Sequence, residues 1–113
     1  MSNRDELLFL QDILDSVNAI FEFTHGLDAE LFSQNRLVYS ATIREFEIIG
    51  EATIHLSDAT LLQYNQVPWR DLKDFRNLLI HEYFGVDSQI VWNTIQNDLP
   101  LLKVVVQEMI ANN

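Results

Sequence analysis

One stretch of the chain concentrates the residues that could transfer protons or bind phosphate. Within residues 69–84, WRDLKDFRNLLIHEYF, Arg76 and Asn77 are followed by His81 and then by Tyr83. Histidine exchanges a proton near neutral pH. Arginine carries a permanent charge on a planar fork that matches the oxygens of a phosphate group. This set could therefore transfer a proton beside a bound phosphate, if a rigid element holds it in place.

The apolar run between Arg76 and His81 indicates what that element is. Residues 78–80, Leu-Leu-Ile, predict the buried side of a helix that begins at Pro68 and reaches His81. Residues five apart on a helix point about 140° away from each other. One Arg76 and one His81 therefore do not easily meet at one phosphate, whereas a two-fold dimer supplies two of each across one cleft.

Apolar residues recurring every three or four positions predict the other helices. The expected helices cover about 4–24, 28–32, 33 or 35 to 56, 57–64, 68–81 and 87 or 88 to about 110. Gly50 inside the second long helix favours close approach of another helix, and Pro100 predicts a kink or break in the last one. The sequence predicts an all-α, up-and-down four-helix bundle with short extra helices, in a single domain over residues 1–113.

Composition limits the classes of function. The formal charge is −10, from 17 acidic and 7 basic side chains, so strong nonspecific binding to long duplexes is not expected. Arg70, Lys73 and Arg76 form a small basic strip that could hold one or two phosphates. There are no cysteines, which excludes thiol chemistry. The histidines and acids show no metal-ligand spacing, so no metal is expected. No segment predicts a membrane span or a signal peptide, so we expect the protein in the cytoplasm.

Four blocks of the sequence together resemble the HepT family of HEPN-domain toxins. The blocks are REFEIIGEA at 44–52, VPW at 67–69, RNLLIHEYFGVD at 76–87 and IVW…NDLPLL at 90–102. The resemblance implies a homodimeric, metal-independent endoribonuclease that cleaves tRNA or mRNA and uses no cofactor. It also implies a toxin–antitoxin system with an MntA-like nucleotidyltransferase as the cognate antitoxin.

The same resemblance assigns roles within the stretch. Arg76 and His81 become catalytic. Asn77 is not assigned by the resemblance, but its amide could support them by orienting His81 or binding phosphate. Tyr83 becomes the residue that the antitoxin silences by AMP transfer. Arg70 and Lys73 are candidate RNA contacts on a different ground, which is their charge and helical spacing in the basic strip.

Structural interpretations stand beside these functional ones. Taken alone, Arg76 predicts a surface ion pair with a nearby acid, and His81 a helix-terminal residue near the last carbonyls. Arg44 and Glu51 could pair with the motif, line the cleft or simply hold the bundle together. The alternative function is a non-enzymatic helical subunit that binds a nucleotide or substrate for a separate nucleotidyltransferase. The acidic charge favours this alternative, and the intact Arg-x4-His-x-Tyr pattern favours the ribonuclease.

Overall fold

The computed structural model describes residues 3–81 and 86–113, and every regular element within these ranges is an α-helix. The helices are α1 (Asn3–Thr24), α2 (Ala29–Gln34), α3 (Arg36–Ile54), α4 (Asp58–Gln63), α5 (Trp69–His81), α6 (Ser88–Asn97) and α7 (Leu99–Ala111). Four long segments, the last divided into α6 and α7, and two short helices agree with the predicted bundle. The all-α prediction is confirmed.

Side-chain caps set where four of these helices begin. The carboxylate of Asp28 accepts a hydrogen bond from the Leu31 amide at 2.8 Å at the start of α2. Asn35, Ser57 and Asp87 cap α3, α4 and α6 in the same way. Between α1 and α2, Gly26 has a φ of 79°, a left-handed conformation that favours glycine. The local signals in the sequence therefore account for these boundaries.

Helix α3 packs against both α1 and α5, and α7 packs against α1. The core is contiguous and includes residues from each long segment, among them Ile13, Ile49, Leu79, Ile95 and Leu102. Burial of these side chains is the main stabilising contribution. Because α5 packs directly on α3, any site on the inner side of α5 faces α3.

Pro100 breaks the last helical segment, as predicted. Helix α6 stops at Asn97 and α7 begins at Leu99, with Pro100 in the first turn of α7, where its missing amide leaves no bond unmade.

The prediction that residues 78–80 form one buried side was wrong. Leu79 is fully buried, but Leu78 and Ile80 are 39% and 43% exposed. Three consecutive residues spread over about 200° of a helix, so a single core-facing side cannot bury them all. Two apolar side chains are therefore left exposed on α5 beside the candidate motif.

Candidate active site

Arg76 occupies a core-facing position of α5. It follows the buried residues Trp69 and Leu72 at helical spacing and precedes the buried Leu79. Its side chain is only 24% exposed. An arginine at such a position requires space on the neighbouring helix for its methylene stem, with its charged end directed toward water.

Gly50 supplies that space. A Cβ atom built on Gly50 would overlap the Cβ and Cγ atoms of Arg76. The prediction that Gly50 permits close helix approach is therefore confirmed, and the approaching group is the stem of Arg76. The contact fixes the base of the arginine side chain by packing before any charge is considered.

The guanidinium of Arg76 has two hydrogen-bond partners in the described part of the chain. Nη2 donates to Oε2 of Glu51 at 2.9 Å, and Nη1 donates to Oδ1 of Asn77 at 3.1 Å. The Nε atom is buried and has no partner among the described residues. Since each terminal nitrogen carries two hydrogens, one N–H on each remains for another acceptor.

Glu51 connects Arg76 to a second pair of side chains. Its Oε1 atom lies 3.5 Å from Nε2 of His55. The His55 ring stacks on Phe9 of α1, with centroids 4.3 Å apart and planes 8° from parallel. Of the alternatives left open for Glu51, the structure shows pairing with the motif arginine. The sequence contains no local signal for the His55–Phe9 stack, because Phe9 lies on α1 and His55 follows the end of α3, 46 residues later.

Arg44 is separate from this network. Its Nη1 atom lies 3.7 Å from Oε2 of Glu47, one turn along the same helix, and its side chain is 68% exposed. Arg44 and Glu51 both line a small groove of about 130 Å³ between α1 and α3, but Arg44 has no hydrogen bond to the motif among those described.

His81 lies exposed in the last turn of α5. The helix places it about 140° around the axis from Arg76, so one chain directs the two side chains to different sides. Asn77 bonds to Arg76 and not, among the described contacts, to His81. In a single chain, the structure therefore does not bring the predicted proton-transfer group and the predicted phosphate-binding group together.

The other predicted RNA contacts divide between these two sides. Arg70 is exposed and follows nearly the same line along α5 as Asn77 and His81, at intervals of seven and four residues. Lys73 is half-buried and lies between Arg70 and Arg76 around the helix. The basic strip therefore leads from the exposed side of α5 toward the guanidinium.

Tyr83 belongs to residues 82–85, which lie outside the described residues. The chain just after this segment is anchored to α3 through Tyr39, whose hydroxyl donates to the carbonyl of Val86 at 3.1 Å. Burial, together with the nearby charge of Asp87, raises the pKa of the Tyr39 hydroxyl, which keeps it a neutral donor.

The described residues contain neither a cluster of metal ligands nor a helix able to span a membrane. No group of three or more histidine or acidic side chains there could hold a metal ion. Among the described helices, none combines the length and apolar character that crossing a bilayer requires.

Comparison with known proteins identifies relatives of this chain. Residues 13–109 match the family model described as Ribonuclease HepT-like. "Putative RNase MJ1380" of Methanocaldococcus jannaschii is 40% identical over 95% of this chain and 98% of its own length. "Probable ribonuclease HepT" of Thermococcus cleftensis is 38% identical over 84% and 86% of the two chains. "Putative RNase TTE0752" of Caldanaerobacter subterraneus is 35% identical over 90% and 91%.

No solved structure matches the chain. The relatives and the family model agree with the resemblance drawn from the four sequence blocks, and they confirm the predicted enzyme class at the level of the family. Because the model matches nearly the whole chain, the protein belongs to the ribonuclease HepT-like family.

Proposed function

We infer that this chain is a metal-independent endoribonuclease whose site is formed by Arg76 and His81. The observation that carries the proposal is the way in which Arg76 is packed and hydrogen-bonded. A permanently charged side chain occupies a core-facing position, has its stem fixed against Gly50 and retains one N–H on each terminal nitrogen. In a chain of a ribonuclease family, that arrangement is suited to hold the nonbridging oxygens of a phosphodiester.

The proposed reaction uses the ribose 2′-hydroxyl as the nucleophile. Its oxygen bonds to phosphorus while the bond from phosphorus to the 5′-oxygen breaks, leaving a 2′,3′-cyclic phosphate and a 5′-hydroxyl. One histidine accepts the proton of the 2′-hydroxyl, and another gives a proton to the leaving 5′-oxygen. Arg76 stabilises the charge that develops on the nonbridging oxygens. Each step uses chemistry that imidazole and guanidinium supply without a metal.

A homodimer is part of this proposal, because the two side chains diverge on one helix. Two-fold symmetry would place the Arg76 of one protomer with the His81 of its partner and supply one histidine as base and one as acid. The exposed Leu78 and Ile80 lie between Arg76 and His81 in the sequence, on either side of the buried Leu79, and such apolar side chains support contact with a partner near the motif. Arg70 and Lys73 would extend the basic surface along the RNA backbone.

The proposed biological role is that of a toxin acting on tRNA or mRNA in the cytoplasm. In this role an MntA-like nucleotidyltransferase silences the enzyme at Tyr83. The tyrosine hydroxyl would lose its proton to water as its oxygen bonds to the α-phosphorus of ATP, and the bond from that phosphorus to pyrophosphate would break. The bound AMP would bring bulk and negative charge next to the motif and so repel RNA. Support comes from the family and from the position of Tyr83 two residues after His81.

The test is cleavage of a total tRNA pool by purified protein in excess EDTA. Wild type should cleave, and His81→Ala should lose activity by a factor of about 100 or more. His25→Ala is the matched control, because His25 is also exposed at the end of a helix but lies outside the motif. Products should carry 2′,3′-cyclic phosphate ends. The intact mass must show that Tyr83 is unmodified. Cleavage that requires a metal, or that survives in His81→Ala, would contradict the proposed mechanism.

The ion pair between Arg76 and Glu51 gives the accessory-subunit alternative a specific basis, since a paired arginine on an acidic chain can be structural. No cleavage by unmodified wild type, combined with retention of nucleotide or of a nucleotidyltransferase partner, would favour that alternative.

A further inference from the structure

Glu51 holds a fixed position opposite the guanidinium of Arg76. Its Oε2 atom accepts the 2.9 Å hydrogen bond from Nη2, and its Oε1 atom lies 3.5 Å from Nε2 of His55. The His55 ring cannot turn freely, because it stacks on Phe9 with nearly parallel planes. Both oxygens of the carboxylate therefore face partners that are themselves held in place.

The far end of Arg76 needs such a fixed partner. The space beside Gly50 is filled by the Cβ and Cγ atoms of Arg76, so packing there fixes only the base of the stem. Beyond these atoms, the remaining torsions of an arginine still allow several orientations of its planar end. Glu51 and Asn77 remove that freedom by binding one terminal nitrogen each.

The Arg76–Glu51 ion pair should contribute more to the orientation of the arginine than to the stability of the fold. The Glu51 side chain is 56% exposed, and ion pairs in contact with water contribute little to folding. Orientation is different, because small errors in the placement of a charged donor strongly reduce its effect on a transition state. Loss of Glu51 should therefore affect catalysis and leave stability nearly unchanged.

We propose that Glu51 is a positioning residue of the candidate site, acting through Arg76. It orients the guanidinium so that the N–H groups that remain free point toward the bound phosphodiester. This inference rests on the proposed ribonuclease function and adds to it a residue outside the Arg-x4-His-x-Tyr pattern.

The first test measures kcat and KM of Glu51→Ala and Glu51→Gln on the tRNA pool. Glu51→Ala should lower kcat about tenfold and leave KM within about threefold, because orientation matters most in the transition state. Glu51→Gln should keep most of the activity, since its amide oxygen can accept the same hydrogen bond. Glu47→Ala is the matched control: it removes the same charge one turn earlier on α3, from the pair with Arg44, and should leave kcat within about twofold.

A second comparison separates positioning from a general structural role. In an Arg76→Lys background, which lacks the planar fork, Glu51→Ala should change kcat by less than about twofold. A structural defect would instead lower kcat by the same factor in both backgrounds, and that result would overturn the inference. Wild-type activity in Glu51→Ala would overturn it too.

Nitrogen-15 NMR of the arginine side chains tests the inference even if the wild type cleaves no RNA. The Arg76 Nη signals, assigned with Arg76→Lys, should show restricted rotation in the wild type and in Glu47→Ala. Faster rotation is expected in Glu51→Ala. Equal rotation in all three proteins would overturn the positioning role. Restricted rotation with no RNA cleavage would refute only the proposed function.

Discussion

Helix α3 contributes one glutamate to each of two arginine–glutamate ion pairs, and the two pairs differ in exposure and in packing. The Arg44–Glu47 pair lies within one helix at 3.7 Å, with the arginine 68% exposed. The Arg76–Glu51 pair joins α5 to α3 at 2.9 Å, with the arginine 24% exposed and its stem against Gly50. The chemical groups are the same in both pairs. Only the second has its geometry fixed by packing, and this difference separates a surface ion pair from a candidate site.

The difference also shows how an acidic chain can present a positive group to RNA. Water and salt screen the attraction between Arg44 and Glu47, so this pair does little to fix the orientation of the Arg44 side chain. Arg76 is screened less and held more firmly, so its free N–H groups keep one direction. We therefore expect substitutions at the two arginines to have very different effects.

The largest expected effect comes from removing the charge of Arg76 while keeping its stem. Arg76→Met retains a side chain that fills the space over Gly50 but cannot bind phosphate. We expect tRNA cleavage to fall by about 100-fold or more, the size of effect seen when a transition-state donor is removed. Arg44→Met should remain within about threefold, since its pair is exposed. Initial rates on the tRNA pool measure both, and equal losses in the two variants would contradict the comparison.

The next effect tests the packing that distinguishes the two pairs. Alanine normally stabilises a helix relative to glycine by about 1 kcal/mol. At position 50 the added Cβ would overlap Arg76 and force α3 and α5 apart. Gly50→Ala should therefore lower the free energy of unfolding by about 1–3 kcal/mol, the usual effect of overpacking. Urea unfolding measures it, with Ser40→Ala on the exposed side of α3 as the control. A stabilised Gly50→Ala would show that the helices are not in this contact.

Much of this framework was predictable from sequence because its signals are local. The caps at Asp28, Ser57 and Asp87 and the break at Pro100 each depend on residues within one turn. Gly50 predicted close approach because glycine in a helix interior otherwise carries only a penalty. These features fixed the ends of the helices and the place where two of them meet.

The rest of the site depends on contacts between helices, which periodicity does not encode. The periodicity of apolar residues could not show that the side chain packed against Gly50 is Arg76. Nor could it show that His55 stacks on Phe9 beside Glu51. The error at residues 78–80 has the same origin, since an apolar run gives no direction around the helix axis. The roles of Arg76, His81 and Tyr83 came from the family resemblance and remain proposals.

A smaller effect is expected at Glu6, a buried carboxylate held by neutral donors and not by an arginine. It accepts hydrogen bonds from the Ser57 amide at 2.9 Å and from the Thr60 hydroxyl at 2.9 and 3.2 Å. Burial by itself raises the pKa of Glu6, but these bonds outweigh it and hold the pKa below its ordinary 4.5. Glu6 therefore stabilises the fold above pH 4.5, and this contribution is lost as the pH falls through the lowered value.

Glu6→Gln should therefore lower the free energy of unfolding by about 1 kcal/mol at pH 7. It should also reduce the loss of stability that the wild type shows as the pH falls. Urea midpoints between neutral pH and about pH 3 measure this. Glu22→Gln, at an exposed position of the same helix, should leave the profile unchanged. A Glu6→Gln profile parallel to that of the wild type would contradict the predicted role of the hydrogen bonds.

The smallest effect is expected at Asp98, a partly buried carboxylate between α6 and α7. Partial burial, together with the charge of Asp71, raises the pKa of Asp98 above its ordinary 3.8. The ionised form therefore weakens the fold at neutral pH, and this penalty disappears as the pH falls through the raised value. Asp98→Asn should stabilise the protein by a few tenths of a kcal/mol at pH 7, because solvent screens a half-exposed group.

The stabilisation by Asp98→Asn should disappear below about pH 3.8, where aspartate is protonated in both the folded and the unfolded state. Asp74→Asn, at an exposed position of α5, is the control and should change stability little. The two carboxylates then give opposite slopes over the same pH range, since Glu6 loses favourable bonds in acid while Asp98 loses the cost of a partly buried charge and the repulsion from Asp71. An Asp98→Asn variant that is less stable than the wild type at pH 7 would mean that the Asp98 charge stabilises this junction. That result would contradict the destabilising effect expected from burial of the charge and from Asp71.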